Sequence, residues 1–144
     1  MSIRVFAESI VNPTEDETKV QEALRNVFPS GKIQRNARSD DTVILKVQGE
    51  GFEFLDTLRN LIKQERIRTA ARSILFGGTH GRHLRFYINK QAAFVGRMSF
   101  CGPTGESPLG PISVDIDAEN TDAVIDFLAA RPGQPFYPVA QRST

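Results

Sequence analysis

Two histidines, His80 and His83, stand two residues apart beside a pair of glycines, and they are the only histidines of the chain. Neutral imidazoles at that spacing can share a zinc ion, but such a site needs a third ligand, and Cys101 is the one soft candidate. No signature with established ligand spacing accompanies them, so no metal site is expected. Loop histidines solvated beside Arg82 are the reading these residues support. As a nucleophile, Cys101 would need a base and an electropositive pocket. Its neighbours in sequence, Phe94, Val95, Met98 and Phe100, read as core, which makes it a small buried hydrophobe, inert in the folded state. The chain holds no Gly-x-Ser-x-Gly, no Walker loop and no dinucleotide fingerprint. Gly77 to Arg82 has glycines and an arginine, yet it precedes a strand and lacks the helix N-terminus that completes a phosphate cradle. No catalytic residue is assigned, and no cofactor is expected.

What remains is basic chemistry. From Lys63 to Arg97 eight bases face one acid, Glu65, for a net of +7, while the rest of the chain carries ten bases and sixteen acids. The whole sums to +1. Such a chain can present a basic face to phosphates, or it can fold its halves together and pair the charges internally. Arg68 and Arg72 lie one helical turn apart and share a face, with Arg66 beside them. Arg82, Lys90 and Arg97 complete the RNA-binding candidates, because framework packing does not explain Lys90 or Arg97. Arg85 and Tyr87 are secondary candidates: on a strand they point opposite to Leu84, Phe86 and Ile88, and an arginine beside a tyrosine can hold a phosphate and stack a base. Against that stands the last strand, whose outward residues should be Ser113, Asp115 and Asp117. Those carboxylates would repel phosphate, and Arg85 could pair with one of them.

These residues need elements to position them. At 144 residues the chain fits one domain with a core. A single cysteine excludes an internal disulfide and fits a reducing compartment. No apolar run is long enough to span a bilayer, and MSIRVFAES lacks a signal-peptide core, so the expected location is cytoplasmic, with no membrane partner. Ile3 to Ile10 alternates as a strand, with Ile3, Val5 and Ala7 on one face and Arg4, Phe6 and Glu8 on the other. Thr14 with Glu17 reads as a capping box opening a helix with the stripe Val20, Ala23, Leu24 and Val27. Lys32 to Arg38 and Thr42 to Gln48 form a hairpin around Ser39-Asp40-Asp41. Helical spacing returns from Phe54 to Ile62 and, after a bend near Glu65, from Ile67 to Leu75, closed by Gly77-Gly78. Leu84 to Asn89 is a strand, Lys90 to Val95 a short helix, Gly102 to Pro111 a loop, Ile112 to Asp117 the fifth strand, and Asp122 to Ala130 the last helix. The expected fold is α+β: a five-stranded antiparallel sheet with helices packed on one face. Its inner face should be Ile3, Val5, Val43, Leu45, Val47, Leu84, Phe86, Ile88, Ile112, Val114 and Ile116. One domain spans residues 1–132, and residues 133–144 form a proline-rich tail.

Four segments taken together, PTEDETKVQEALRNVFP, RIRTAAR (Arg66 to Arg72), FYINKQAAFVGR (Phe86 to Arg97) and LGPI (Leu109 to Ile112), resemble an archaeal family of uncharacterised proteins. That family carries a predicted RNA-binding label and is similar in fold to the ribosomal protein that binds 5S ribosomal RNA. The resemblance runs from about Ile3 to about Pro132. It implies the same five-stranded sheet and a homodimer, and it hands over no catalytic residues. The expected function is a non-enzymatic, RNA-associated or ribosome-associated module that uses the helix and loop bases. The alternative is a homodimeric protein-interaction domain that keeps the fold without binding RNA. Clustering of Arg66, Arg68, Arg72, Lys90 and Arg97 on one exposed face would favour RNA, and pairing with acids would favour the alternative.

Overall fold

A computed structural model describes residues 2–103 and 109–131. The tail, and residues 104–108 of the loop after Cys101, lie outside the described residues. Strand β1, Ile3–Val11, alternates without a break, its odd positions buried and its even ones exposed. A strand one of whose faces packs on a core reads this way. It pairs antiparallel with β3, Val43–Glu50, on one side and with β7, Ile112–Ala118, on the other. Strand β2, Gln34–Ala37, flanks β3, and Asp41 adopts a positive φ in the connecting turn. Strand β5, His83–Ile88, pairs with β7 and carries two short additions: β4, Thr79–His80, and β6, Phe100–Cys101. The sheet order is β2-β3-β1-β7-β5-β4, with β6 also on β5.

The sheet therefore has seven strands rather than five. The two extra ones are two residues long, too short to show any period. Cys101 consequently sits opposite Tyr87 at the sheet margin and is half-buried, not a member of the core as expected.

Helices α1, Glu17–Val27; α2, Asp56–Glu65; α3, Arg68–Gly77; α4, Lys90–Phe94; and α5, Thr121–Leu128, supply the other layer. A 3-10 turn, Phe52–Leu55, leads into α2. Of the eleven inner-face residues expected, all are buried except Val43, which is half-buried against the same cluster. The stripe of α1 meets this face, and Phe28 stacks on Phe54 at 5.3 Å. The cap of α1 is Asp16, which accepts from the Thr18 N–H, and not Thr14. Glu17, the expected return half of the capping box, instead accepts from Arg35 Nε at 2.8 Å. Helix α3 ends where it can pass close to the sheet: a Cβ on Gly78 would lie 2.0 Å from the Arg85 carbonyl oxygen. The Arg85 N–H in turn donates to the Gly78 carbonyl, which joins the end of α3 to β5.

Candidate nucleic-acid interface

Lys90 opens α4 directly after β5, where Asn89 caps the helix by accepting from the Ala92 N–H. That position turns its side chain inward. Only 4% of it is exposed, and its Nζ donates to both oxygens of Glu15, at 3.0 and 3.1 Å, and to the carbonyls of Ile10 and Leu109, at 2.7 and 2.9 Å. Glu15, itself 8% exposed, also accepts from the Asn12 backbone and side chain. Burial pulls the ammonium below its ordinary pKa, against the Glu15 carboxylate, which pulls it up. Three of the segments that carry the family resemblance thus converge on one satisfied polar knot. Lys90 is framework, and its buried ammonium is not available to an RNA phosphate.

Arg72 is also withdrawn. Its Nη1 donates to Asp126 at 2.7 Å and to the Ala129 carbonyl at 2.9 Å, with the guanidinium over the Phe76 ring. It ties α3 to α5. Arg97 is 69% exposed but holds Glu65 in a fork, Nε to Oε2 at 2.7 Å and Nη2 to Oε1 at 2.8 Å. The Arg97 hydrogen bonds, followed by that from the Met98 N–H, bring the Glu65 carboxyl down to about 2 from 4.5. The fork fastens the α2–α3 corner to the turn after α4.

The open face of the sheet is a lattice of opposite charges. Arg4 lies between Glu50 and Asp117, and Glu8 faces Lys46. Arg82 donates to Asp117 at 3.0 Å. Arg85 and His83 share Asp115, at 2.7 and 3.0 Å. Burial raises the Asp115 carboxyl, but the hydrogen bonds from Arg85 and His83 outweigh it and leave the group below its ordinary range. Opposed cross-strand charges each add tenths of a kcal/mol, up to about 1 kcal/mol, to a sheet. Arg4, Lys46, Arg82 and Arg85 are matched on this face by Glu8, Glu50, Asp115 and Asp117, so it has no excess of fixed charge. Phe6 and Ile10 break the polar pattern, each 40% exposed. Tyr87 is half-buried beside Arg85.

Arg66 has a different setting. It is the C-cap of α2 in the left-handed region, φ 60° and ψ 40°, where its side chain stands exposed and makes no ion pair among the described residues. Arg68 follows at the start of α3 and is half-buried. The first turn of α3 carries no acid. The structure therefore does not gather Arg66, Arg68, Arg72, Lys90 and Arg97 on one face. It keeps Arg66, Arg68 and Arg97 around the α2–α3 corner, buries Lys90, and commits Arg72, Arg82 and Arg85 to acids.

A family model described as RNA binding matches residues 4–118. A UPF0201 protein of Pyrobaculum calidifontis is 43% identical over 138 residues, covering 94% of this chain and 96% of that protein. One from Sulfolobus acidocaldarius is 36% identical over 128 residues, covering 89% and 88%. The chain belongs to the UPF0201 family. The crystal structure of the UPF0201 protein from Methanococcus jannaschii superposes with a TM-score of 0.79 at 30% identity, over 89% of this chain and 93% of that one. A DUF54 protein from Methanothermobacter thermautotrophicus, 22% identical with a TM-score of 0.57, shares the fold alone. Among the described residues of the UPF0201 chain, no helix is long and apolar enough to cross a membrane, and no cluster of three metal-ligating side chains occurs.

Sequence reasoning missed the acids that take up Lys90 and Arg72. Glu15 and Asp126 lie 75 and 54 residues from Lys90 and Arg72, and no local pattern announces such pairs. Phe6 was legible, as an aromatic on the outward side of an alternating strand.

Proposed function

We propose that this protein is a non-enzymatic, RNA-associated module of the cytoplasm that meets RNA through the corner between α2 and α3. The observation that carries this reading is the exposed Arg66, in a backbone conformation that costs an ordinary L-residue about 1–2 kcal/mol. Lys63, Arg68 and Arg97 are its neighbours in sequence or across the Glu65 fork, and Glu65 is the only acid between Lys63 and Arg97. Of these bases, Arg66 is the one that stands exposed and makes no ion pair among the described residues, and the reading rests on it. The RNA-binding description of the matching family model supports the class of partner. The resemblance to a 5S-RNA-binding ribosomal protein suggests ribosomal RNA as the first ligand to try. With about four phosphates neutralised, affinity for single-stranded RNA should fall with a log–log salt slope near −3, about fifty-fold between ~50 and ~200 mM salt. Fluorescence anisotropy on labelled RNA across a salt series measures it. Arg66→Gln with Arg68→Gln should flatten the slope by about one to two units. No binding at low salt, or binding unchanged in the double variant, defeats this reading.

A second reading has its own observation. The open sheet face balances its charges and exposes Phe6 and Ile10, which suits contact with a second copy of the chain better than contact with phosphate. Under this reading the protein is a homodimeric interaction domain. Sedimentation should then show a dimer that Phe6→Glu with Ile10→Glu converts to monomer, and a monomeric wild type would exclude it.

A further inference from the structure

The open face is charge-balanced everywhere except at one end, where its charge depends on pH. The β4–β5 hairpin sets His80 directly opposite His83 in the antiparallel register. These two imidazoles, with Arg85, Tyr87, Asp115 and the backbone of Gly77 and Gly78 at the end of α3, line a groove of about 550 Å³. Three features give it binding character. Asp115 accepts from His83 Nδ1 at 3.0 Å and from Arg85 Nη2 at 2.7 Å. One carboxylate thereby orients two cationic or ionisable side chains, both of them more than half exposed. Arg85 is 61% exposed, so its fork is accessible. Tyr87, next but one along the same strand, offers a ring beside that fork.

We propose that this groove binds a nucleotide phosphodiester, the phosphate on Arg85 and the imidazoles and the base against Tyr87, and that it does so in a pH-gated way. With both imidazoles neutral, Arg85 and Asp115 cancel, and the groove holds an anion only weakly, through the Arg85 donors. With both protonated it carries a net +2. The charged groups facing His83 are Asp115 and Asp117 on β7, Arg85 on its own strand, and His80 on β4, with Arg82 beside it already committed to Asp117. No further acid lines the groove to cancel the added charge. Histidine is the side chain whose charge changes between about pH 5 and 8. Two added charges about 5 Å from a phosphate in water should strengthen binding on the order of tenfold. The groove lies on the sheet, whereas the α2–α3 corner lies at the far end of α3, so this inference does not rest on the corner reading.

The probe is the dinucleoside monophosphate ApA, whose single phosphodiester charge is constant over this range, with neutral adenosine as control. Calorimetric titration at about pH 5.5 and 8 should show ApA binding about tenfold tighter at the lower pH, and adenosine not binding. Arg85→Gln should lose binding at both pH values. His80→Asn with His83→Asn should keep the weak affinity at high pH and lose the gain, and its unchanged melting temperature would show that the sheet is intact. Equal affinity at both pH values, a gain that survives the double histidine variant, or adenosine binding as tightly as ApA would overturn the proposal.

Discussion

Lys90 and Arg66 come from the same basic segment, and the fold treats them in opposite ways. Lys90 is folded inward at the β5–α4 junction, where Glu15 and two carbonyls consume its donors. Arg66 is turned outward at the α2–α3 corner, in a backbone region where glycine would be easier. A net charge of +7 over one stretch of chain therefore says little about any single base. What decides is whether the topology brings an acid within reach. Across the open sheet face it does so strand by strand, and at the corner the one local acid is held by Arg97.

The comparison breaks most visibly at Lys90. Lys90→Met should leave the Glu15 carboxylate buried without its cation and cost about 3–5 kcal/mol in denaturant melts. Adding Glu15→Gln removes the stranded charge and should recover part of that loss. A cost near zero for Lys90→Met would mean that the knot is solvated and that Lys90 belongs with the exposed bases after all.

The Glu65–Arg97 fork gives a smaller effect with a definite direction. Its carboxyl titrates near 2 in the folded protein, against 4.5 ordinarily. A depressed carboxylate contributes stability that is fully present above its unfolded value and is lost as pH falls toward the folded one. The melting temperatures of wild type and Glu65→Gln should therefore converge as pH drops from 4.5 to 2. A gap that stays constant across this window contradicts the fork as the cause of the depression.

Much of this was legible in the residues. Ile3 to Val11 alternates so cleanly that both faces of β1 followed from it, and the bend near Glu65 is the left-handed Arg66. Asp115 and Asp117 on the outward side of β7 announced the pairing of Arg85. The cap of α1 was misplaced because Asp16, two residues after Thr14, is an equally good cap, and Glu17 is claimed by Arg35 from β2. Strands β4 and β6 left no signal, since two residues cannot establish a period. Lys90 was unreadable for a related reason: its burial depends on where α4 docks against the β1–α1 loop, and no pattern inside FYINKQAAFVGR records that.

The central claim is that the exposed Arg66 at the corner, and not the cross-strand-paired charge of β1 and β3, would contact RNA. One parallel anisotropy titration tests it, with Arg66→Gln/Arg68→Gln and Arg4→Gln/Lys46→Gln measured against wild type on the same RNA at neutral pH and low salt. Each double variant removes two positive charges, so a non-specific effect of net charge would weaken both equally. The account predicts that the corner variant loses about tenfold or more in affinity while the sheet variant stays within about twofold of wild type, because its cations are already matched across the strands by Glu50, Asp117 and Glu8. Equal losses, or the larger loss in the sheet variant, would contradict it.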